Sequence, residues 1–163
     1  MIRISPMSPR AVSSSRRVQV RRSGVHGRGV FVTQPIGAGE RILEYRGERI
    51  SNDEAARRHP ANPNDPNHTF YFSLESGDVI DGRIQGNSAK WINHSCAPNC
   101  EAEEVRGRVY IFALRNLEPG EELFYDYHLS VEERQTARLK REYACCCGAT
   151  ECRGTLLYPK KRR

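Results

Sequence analysis

Apolar residues in this chain come in short runs rich in β-branched and aromatic types, broken by glycine and other turn residues, with few stretches long enough for a helix. Residues 18–20, 29–32 and 41–45 read as strands joined by tight, glycine-containing turns. Residues 69–74 and 79–80 read as a hairpin around Ser76-Gly77, and 103–105 with 109–113 as another around Arg106-Gly107. A further strand is expected over 122–127, after Pro119-Gly120. Helical signals are few. Ser51 with Glu54 forms a capping box that predicts a short helix over 53–58, stopped by Pro60. Residues 87–92 have room for a turn or two, and Ser130 with Glu133 predicts the longest helix over 131–142. The proline- and asparagine-rich stretch 59–67 reads as a surface loop.

Many short strands, few helices and no βαβ alternation point to a mainly-β domain built from several small sheets. At 163 residues the chain fits one domain plus tails. Residues 1–15 carry little that can pack and are expected to be a disordered basic tail, and 159–163 form a second basic tail. The formal charge of +6 and pI near 9.2 owe much to those ends, which leaves weak nucleic-acid contact through the tails as a partner class. No apolar run approaches the roughly 20 residues that span a bilayer, and the start lacks the apolar stretch of a secretory signal. An intracellular protein without membrane contact is therefore expected, in a compartment where thiols stay reduced.

All six cysteines fall at or after Cys96. Cys145, Cys147 and Cys152 make a C-x-C-x4-C cluster with metal-ligand spacing, one ligand short of the four that a structural zinc site takes. The fourth comes either from neighbouring Cys146 or from the distant Cys96 and Cys100. Beside Cys96 stand Asn93, His94 and Ser95, offering amide, imidazole and hydroxyl next to the apolar anchors Trp91 and Ile92. A Cys-His-Asn protease is disfavoured, because nucleophile and base are near neighbours and the thiol is suited to metal. Tyr125-Asp126-Tyr127 sets two phenols on one side of a strand and a carboxylate on the other. Gly24, Gly27 and Gly29 permit close backbone approach, but no helix or Gly-Lys-Ser follows, so dinucleotide and P-loop fingerprints are not matched.

In order, Gly27-Arg28-Gly29, Tyr45-x-Gly47-Glu48, Tyr71, Gly86-Asn87, Asn93-His94-Ser95-Cys96-x-Pro98-Asn99, Gly120-Glu121-Glu122-Leu123-x-Tyr125-Asp126-Tyr127 and Cys145-x-Cys147-Gly148-x3-Cys152-Arg153-Gly154 resemble the SET-domain protein lysine methyltransferases with a post-SET zinc motif. The resemblance implies small sheets around a knot-like core over 16–129, a helix over 130–142 and a post-SET zinc motif over 143–158. It implies an enzyme that transfers methyl from S-adenosylmethionine to a lysine amine of a protein, with a histone tail as substrate class; the setting is nucleus or chromatin in a eukaryotic host, and otherwise cytoplasm or that of a secreted effector. His26, Arg28, Gly29, Tyr71, Asn93 and His94 match the donor-binding positions, and Tyr127, Tyr125 and Tyr45 the catalytic channel. Cys96, Cys145, Cys147 and Cys152 match the zinc ligands, leaving Cys100 and Cys146 spare. A tyrosine at 125, where the family carries Phe or Tyr, implies mono- or dimethylation. Lys90 and Trp91 depart from the family's Arg and Phe. Glu101, Glu103, Glu104, Asp78 and Asp81 are candidates for an acidic face that would receive a basic tail. The competing reading is a non-catalytic SET-like peptide binder or a zinc-stapled nucleic-acid binder.

Overall fold

The computed structural model describes residues 17–59 and 70–160. In chain order its elements are β1 (Val18–Arg22), β2 (Arg28–Val32), β3 (Arg41–Tyr45), β4 (Glu48–Ile50), α1 (Asn52–Arg58), β5 (Tyr71–Ser73), β6 (Val79–Asp81), a 3-10 turn over Ser88–Trp91, β7 (Asn93–His94), β8 (Cys100–Val105), β9 (Arg108–Ala113), β10 (Phe124–Tyr125) and α2 (Ala137–Glu142). Among the described residues they form β1-β2, β3-β9-β8 and β4-β6-β5 antiparallel sheets and one parallel pair, β7-β10. The expected mainly-β architecture of several small sheets is met.

Burial alternates with period two in β9, even where its run of residues is apolar throughout. Along β9, Val109, Ile111 and Ala113 point inward while Arg108 is exposed and Tyr110 and Phe112 are half-buried. These residues meet Val30, Val32, Ile42, Leu117 and Leu123 in one core shared by the sheets. A smaller cluster, Ile50, Ala55 and Val79 with Tyr71 against it, lies under α1. Fully buried Asp81 ties that cluster down. It accepts hydrogen bonds from the Arg83 backbone N–H (3.0 Å), from Arg83 Nη2 (2.9 Å) and from Arg58 Nη1 of α1 (3.1 Å). Burial pulls the Asp81 carboxyl upward, but the two guanidinium groups outweigh it and hold the group below its ordinary value.

Ser51 caps α1 as expected, its Oγ accepting from the Glu54 N–H at 3.1 Å, and His59 closes the helix. Several expectations are corrected. The helix over 131–142 is cut to Ala137–Glu142, shorter than α1, and its cap is Thr136, not Ser130. The carbonyls of Glu132 and Glu133 accept from Lys160 Nζ, and Gln135 Nε2 donates to the Tyr158 carbonyl, so tertiary bonds hold this segment against the chain's C-terminal stretch instead of in a helix. The strand over 122–127 shrinks to Phe124–Tyr125, because the backbone leaves the pairing to enter a left-handed turn at His128 (φ 47°). Strand β8 starts at Cys100, three residues earlier than expected, and β4 follows β3 after only Arg46-Gly47. Asp81 belongs to no acidic face, being buried between arginines. Glu104 instead accepts from the Glu75 N–H. The tail at 1–15, most of the loop at 59–67, Thr69 and the last three basic residues lie outside the described residues.

One close backbone approach turns the chain toward the site. A Cβ on Gly86 would sit 2.8 Å from the carbonyl carbon of Gly82, with the Arg46 carbonyl oxygen at 3.2 Å, and neither backbone group can swing away as a side chain tip would. Gly86→Ala is therefore expected to lower the unfolding free energy by about 2 kcal/mol, read from the midpoint of urea denaturation; an unchanged midpoint would show that this turn yields freely.

Candidate active site

The 3-10 turn is capped by Asn87, whose Oδ1 accepts from the Ala89 N–H at 3.3 Å, and its end is anchored by Ile92 in the core. That anchor delivers Asn93 and His94 into β7. There Asn93 pairs with Phe124 and His94 with Tyr125, joining stretches some thirty residues apart in parallel. Side chains reinforce so short a pairing. Asn99 Nδ2 donates to the Glu122 carbonyl and Asn99 Oδ1 accepts from the Phe124 N–H, both at 2.8 Å. Tyr127 donates its hydroxyl to the Ile92 carbonyl (2.7 Å) and its N–H to His94 Nδ1 (3.1 Å). The second bond puts the His94 ring proton on Nε2, which stands 3.4 Å from Cys96 Sγ. Burial pushes His94 down to about 4 despite the opposing Asp126 carboxylate 3.6 Å away, so the imidazole is neutral.

The predicted site residues mostly converge. Asn93 Nδ2 reaches the carbonyls of His26 (3.0 Å) and Arg28 (2.9 Å), which brings the β1-β2 turn with Gly29 to β7. The Arg28 guanidinium lies over the Trp91 ring at 5.1 Å, with Lys90 Nζ at 5.3 Å from the same ring and Phe70 packed edge-on. The two departures at 90 and 91 thus form a cation–aromatic group beside the turn. Tyr71 is not brought to this group. It packs on the Ile50 cluster, and its hydroxyl accepts from Arg83 Nη2 at 3.3 Å. Its neighbour Phe72, absent from the sequence-based set, lies between Tyr45 (5.5 Å) and Tyr125 (6.4 Å) instead.

Tyr45, Phe72, Tyr125, Tyr127 and His94 form a continuous run of rings, with Tyr125 to Tyr127 at 4.9 Å and Tyr127 to His94 at 5.3 Å. Burial raises all three phenols well above the ordinary tyrosine value, with neighbouring phenols adding to the effect at Tyr45 and Tyr125 and the Glu122 carboxylate at Tyr127. Tyr127 keeps 36% of its surface exposed, yet its hydroxyl is turned inward to Ile92. The Tyr45 hydroxyl donates to the Phe70 carbonyl at 2.8 Å. Among the described residues, no protein group bonds the Tyr125 hydroxyl. The group can therefore orient and desolvate a ligand, but it contains no phenolate to act as a base.

Cys96, Cys145, Cys147 and Cys152 place their sulfurs within 4.8 Å of one another, so Cys96 is the residue that stands beside the three C-terminal cysteines. Cys96 to Cys145 is 3.8 Å and Cys96 to Cys152 is 3.9 Å. Four thiolates at about 2.3 Å from a tetrahedral zinc would be about 3.8 Å apart, so the set fits that ion. Burial alone would raise Cys147, but N–H groups of Cys96 and Ala149 and the adjoining thiols bring it down to about 6. Cys100 is in the core, its thiol pushed up to about 12 by burial, and Cys146 is exposed. Arg153, directly after Cys152, grips Asp126 with two hydrogen bonds of 2.6 and 3.1 Å and so ties the cysteine segment to the tyrosine strand. This clamp, the Asn99 bridge and Phe72 escaped the sequence reading; only the pattern of tyrosines flanking a carboxylate hinted at the first.

Two clefts border the cysteine segment. One of about 520 Å³ is lined by Asp126, His128, Arg153 and Tyr158, and one of about 380 Å³ by Ser95, Asn99, Glu122, Phe124 and Cys147.

Comparison with known proteins places this geometry. The SET domain family matches residues 27–128, and the chain belongs to that family. It is 37% identical over 145 residues to histone-lysine N-methyltransferase 2B of Homo sapiens, covering 86% of this chain and 5% of that protein. It is 38% identical over 144 residues to the H3 lysine-4 specific histone-lysine N-methyltransferase of Saccharomyces cerevisiae, covering 85% of this chain and 13% of that protein. The chain thus spans a small fraction of these relatives. Among solved structures it resembles ctPRC2 in an autoinhibited conformation bound to S-adenosylmethionine, with a TM-score of 0.62 and 31% identity over 69% of this chain and 15% of that one.

The raised phenols give a direct check. In an alkaline titration followed at 295 nm, Tyr45, Tyr125 and Tyr127, each identified by the amplitude that its Tyr→Phe variant removes, are expected to ionise well above the ordinary tyrosine value. Ionisation of these three at the ordinary tyrosine value in the folded protein would contradict the buried hydroxyl arrangement.

Proposed function

We propose that this chain is a protein-lysine N-methyltransferase domain that uses S-adenosylmethionine and acts on histone tails in a chromatin setting. The observation that carries this reading is the meeting of Tyr125 and Tyr127 with Asn93 and His94 beside a four-thiol cluster, in a SET-domain chain whose relatives are named as histone-lysine methyltransferases. The Asn93–His94 segment and the turn at His26, Arg28 and Gly29 are the donor-binding candidates by position. Tyr71, held with Arg83, would join them only through a change in its surroundings. S-adenosylmethionine supplies a methyl group already activated on a sulfonium, so the protein's work is alignment, desolvation and provision for one departing proton.

The chain's own residues suit that work. A lysine amine has an ordinary pKa near 10.4 and must be neutral to attack. Entry among Tyr45, Phe72, Tyr125 and Tyr127 would strip water from it and lower that value. The Tyr127 hydroxyl donates to the Ile92 carbonyl, which fixes its oxygen and leaves its lone pairs for the incoming group. The Tyr125 hydroxyl has no protein partner among the described residues and can hold the amine, which leaves less room for added methyl groups. Since the phenols stay protonated, the amine's proton leaves to solvent and not to a tyrosinate.

Cys96, Cys145, Cys147 and Cys152 would hold a structural zinc ion, making the cysteine segment a wall of the site through the Arg153–Asp126 clamp. Among the described residues no helix is long and apolar enough to cross a membrane.

Incubation of the purified chain with isotopically labelled donor and core histones is expected to label lysine, and no label on any histone lysine would count against the reading. Tyr127→Phe is expected to lower kcat by about 100-fold or more while donor affinity stays within about threefold, as loss of a group aimed at the reacting atoms should. The native product is expected to stop at mono- or dimethyl-lysine by mass spectrometry and to move upward in Tyr125→Phe; abundant trimethyl-lysine from the unsubstituted chain would remove the role assigned to Tyr125. Elemental analysis should find about one zinc per chain, and Cys147→Ser should lose both metal and activity. Full activity without metal would overturn the wall.

A further inference from the structure

Three oxygens surround the Asn93 amide nitrogen: the carbonyls of His26 and Arg28 at 3.0 and 2.9 Å, and Glu122 Oε1 at 3.1 Å. An amide flipped end for end would set its oxygen against all three, so its orientation is decided. Asn93 is 8% exposed, and among the described residues no donor reaches its Oδ1. The two carbonyls belong to a turn that its own backbone closes, with the Ser23 N–H on the Gly27 carbonyl at 2.8 Å. Glu122 is the one side chain in the cradle.

A second observation concerns Gly29. A Cβ at that position would overlap the Glu122 carboxylate and lie 2.7 Å from its Cδ. The missing side chain is the space in which the carboxylate reaches Asn93. The φ of Gly29 is not in the left-handed region, so room and not backbone freedom accounts for glycine here. The Glu122 backbone does separate work, its carbonyl accepting from Asn99 and the residue bridging to Phe31, so side-chain substitutions leave the strand clamp in place.

We infer that Glu122 is a positioning residue for the methyl donor, holding the Asn93 amide so that Oδ1 is presented as a fixed acceptor, with Gly29 required to make room for it. This rests on the methyltransferase reading above. The amide has two N–H groups for three oxygens, so Glu122 shares a hydrogen with the two carbonyls and narrows the range over which the held Asn93 can turn, which lowers what a bound donor must still fix. The Glu122 carboxylate further supports a protonated Tyr127, whose pKa it raises.

The test uses titration calorimetry of the whole chain with S-adenosylmethionine alone, alongside thermal melting. Glu122→Ala is expected to weaken the donor Kd by about fivefold, with the melting midpoint lowered by no more than loss of one shared intramolecular hydrogen bond accounts for. Glu122→Gln keeps an acceptor oxygen at the same reach but loses the charge, and is expected to bind the donor more tightly than Glu122→Ala. Gly29→Ala should weaken binding comparably to Glu122→Ala, and the double variant should be no weaker than Glu122→Ala, since both changes remove the same contact. Donor affinity retained by Glu122→Ala, a Gln variant as weak as Ala, or additive losses in the double variant would each overturn the inference. Should Glu122→Ala fail to fold, Glu122→Asp, which withdraws the carboxylate by one methylene, is expected to bind like Gly29→Ala, and unweakened binding would overturn the inference equally. Failure of the unsubstituted chain to bind the donor would instead overturn the methyltransferase reading.

Discussion

A parallel pairing only two residues long on each strand, Asn93-His94 against Phe124-Tyr125, is the join on which the site depends. Strands this short do not persist unaided. What keeps them together is a set of side-chain bonds that stand in for missing rungs: Asn99 across Glu122 and Phe124, the Tyr127 hydroxyl on Ile92, and the Tyr127 N–H on His94. Each satisfies a backbone group that would otherwise be stranded at the end of a ladder. Each also points a side chain of chemical interest in one direction, so the same bonds that close the fold orient the site.

The pairing also sorts charge. The rings of Tyr125 and Tyr127 lie 4.9 Å apart, while Asp126 between them in the chain meets Arg153. Burial pulls the Asp126 carboxyl upward, yet the Arg153 hydrogen bonds outweigh it and hold the group below its ordinary value. The carboxylate is thus kept ionised and paired beside a group of neutral phenols. A surface ion pair would contribute little, but this one is mostly shielded and bridges two segments, so its effect is on where the cysteine segment sits. Asp81 plays the same part under α1, where one buried carboxylate collects two arginines from separate elements.

The local pattern announced most of the scaffold. Runs of β-favouring residues bounded by glycine and turn signals placed β2, β3 and β9, the Ser51 capping box placed α1, and the spacing of Cys145, Cys147 and Cys152 announced a metal-type cluster lacking one member. Ser130 and Glu133 formed an equally good local signal for a helix and were overruled, because Lys160 takes the Glu132 and Glu133 carbonyls and the Gln135 side chain is drawn to the Tyr158 carbonyl. The strand over 122–127 was overruled similarly by the left-handed turn at His128. Glu101 and Asp81 look alike in a list of acidic residues, and only packing separates an exposed one from one that is fully buried.

By itself, then, the sequence determined the short strands, the first helix, the family to which the chain's motifs point, and the residue types from which a site can be made, because these depend on neighbours a few positions away. Tertiary structure alone decided that Cys96 stands beside Cys145, Cys147 and Cys152, that Tyr71 turns toward Arg83 while Phe72 faces the phenols, and that Glu122 reaches Asn93 through the space left by Gly29. Those outcomes turn on which backbone and side-chain groups arrive together from positions tens of residues apart. Burial then gives each meeting its chemical effect, by raising the phenols and keeping the imidazole neutral.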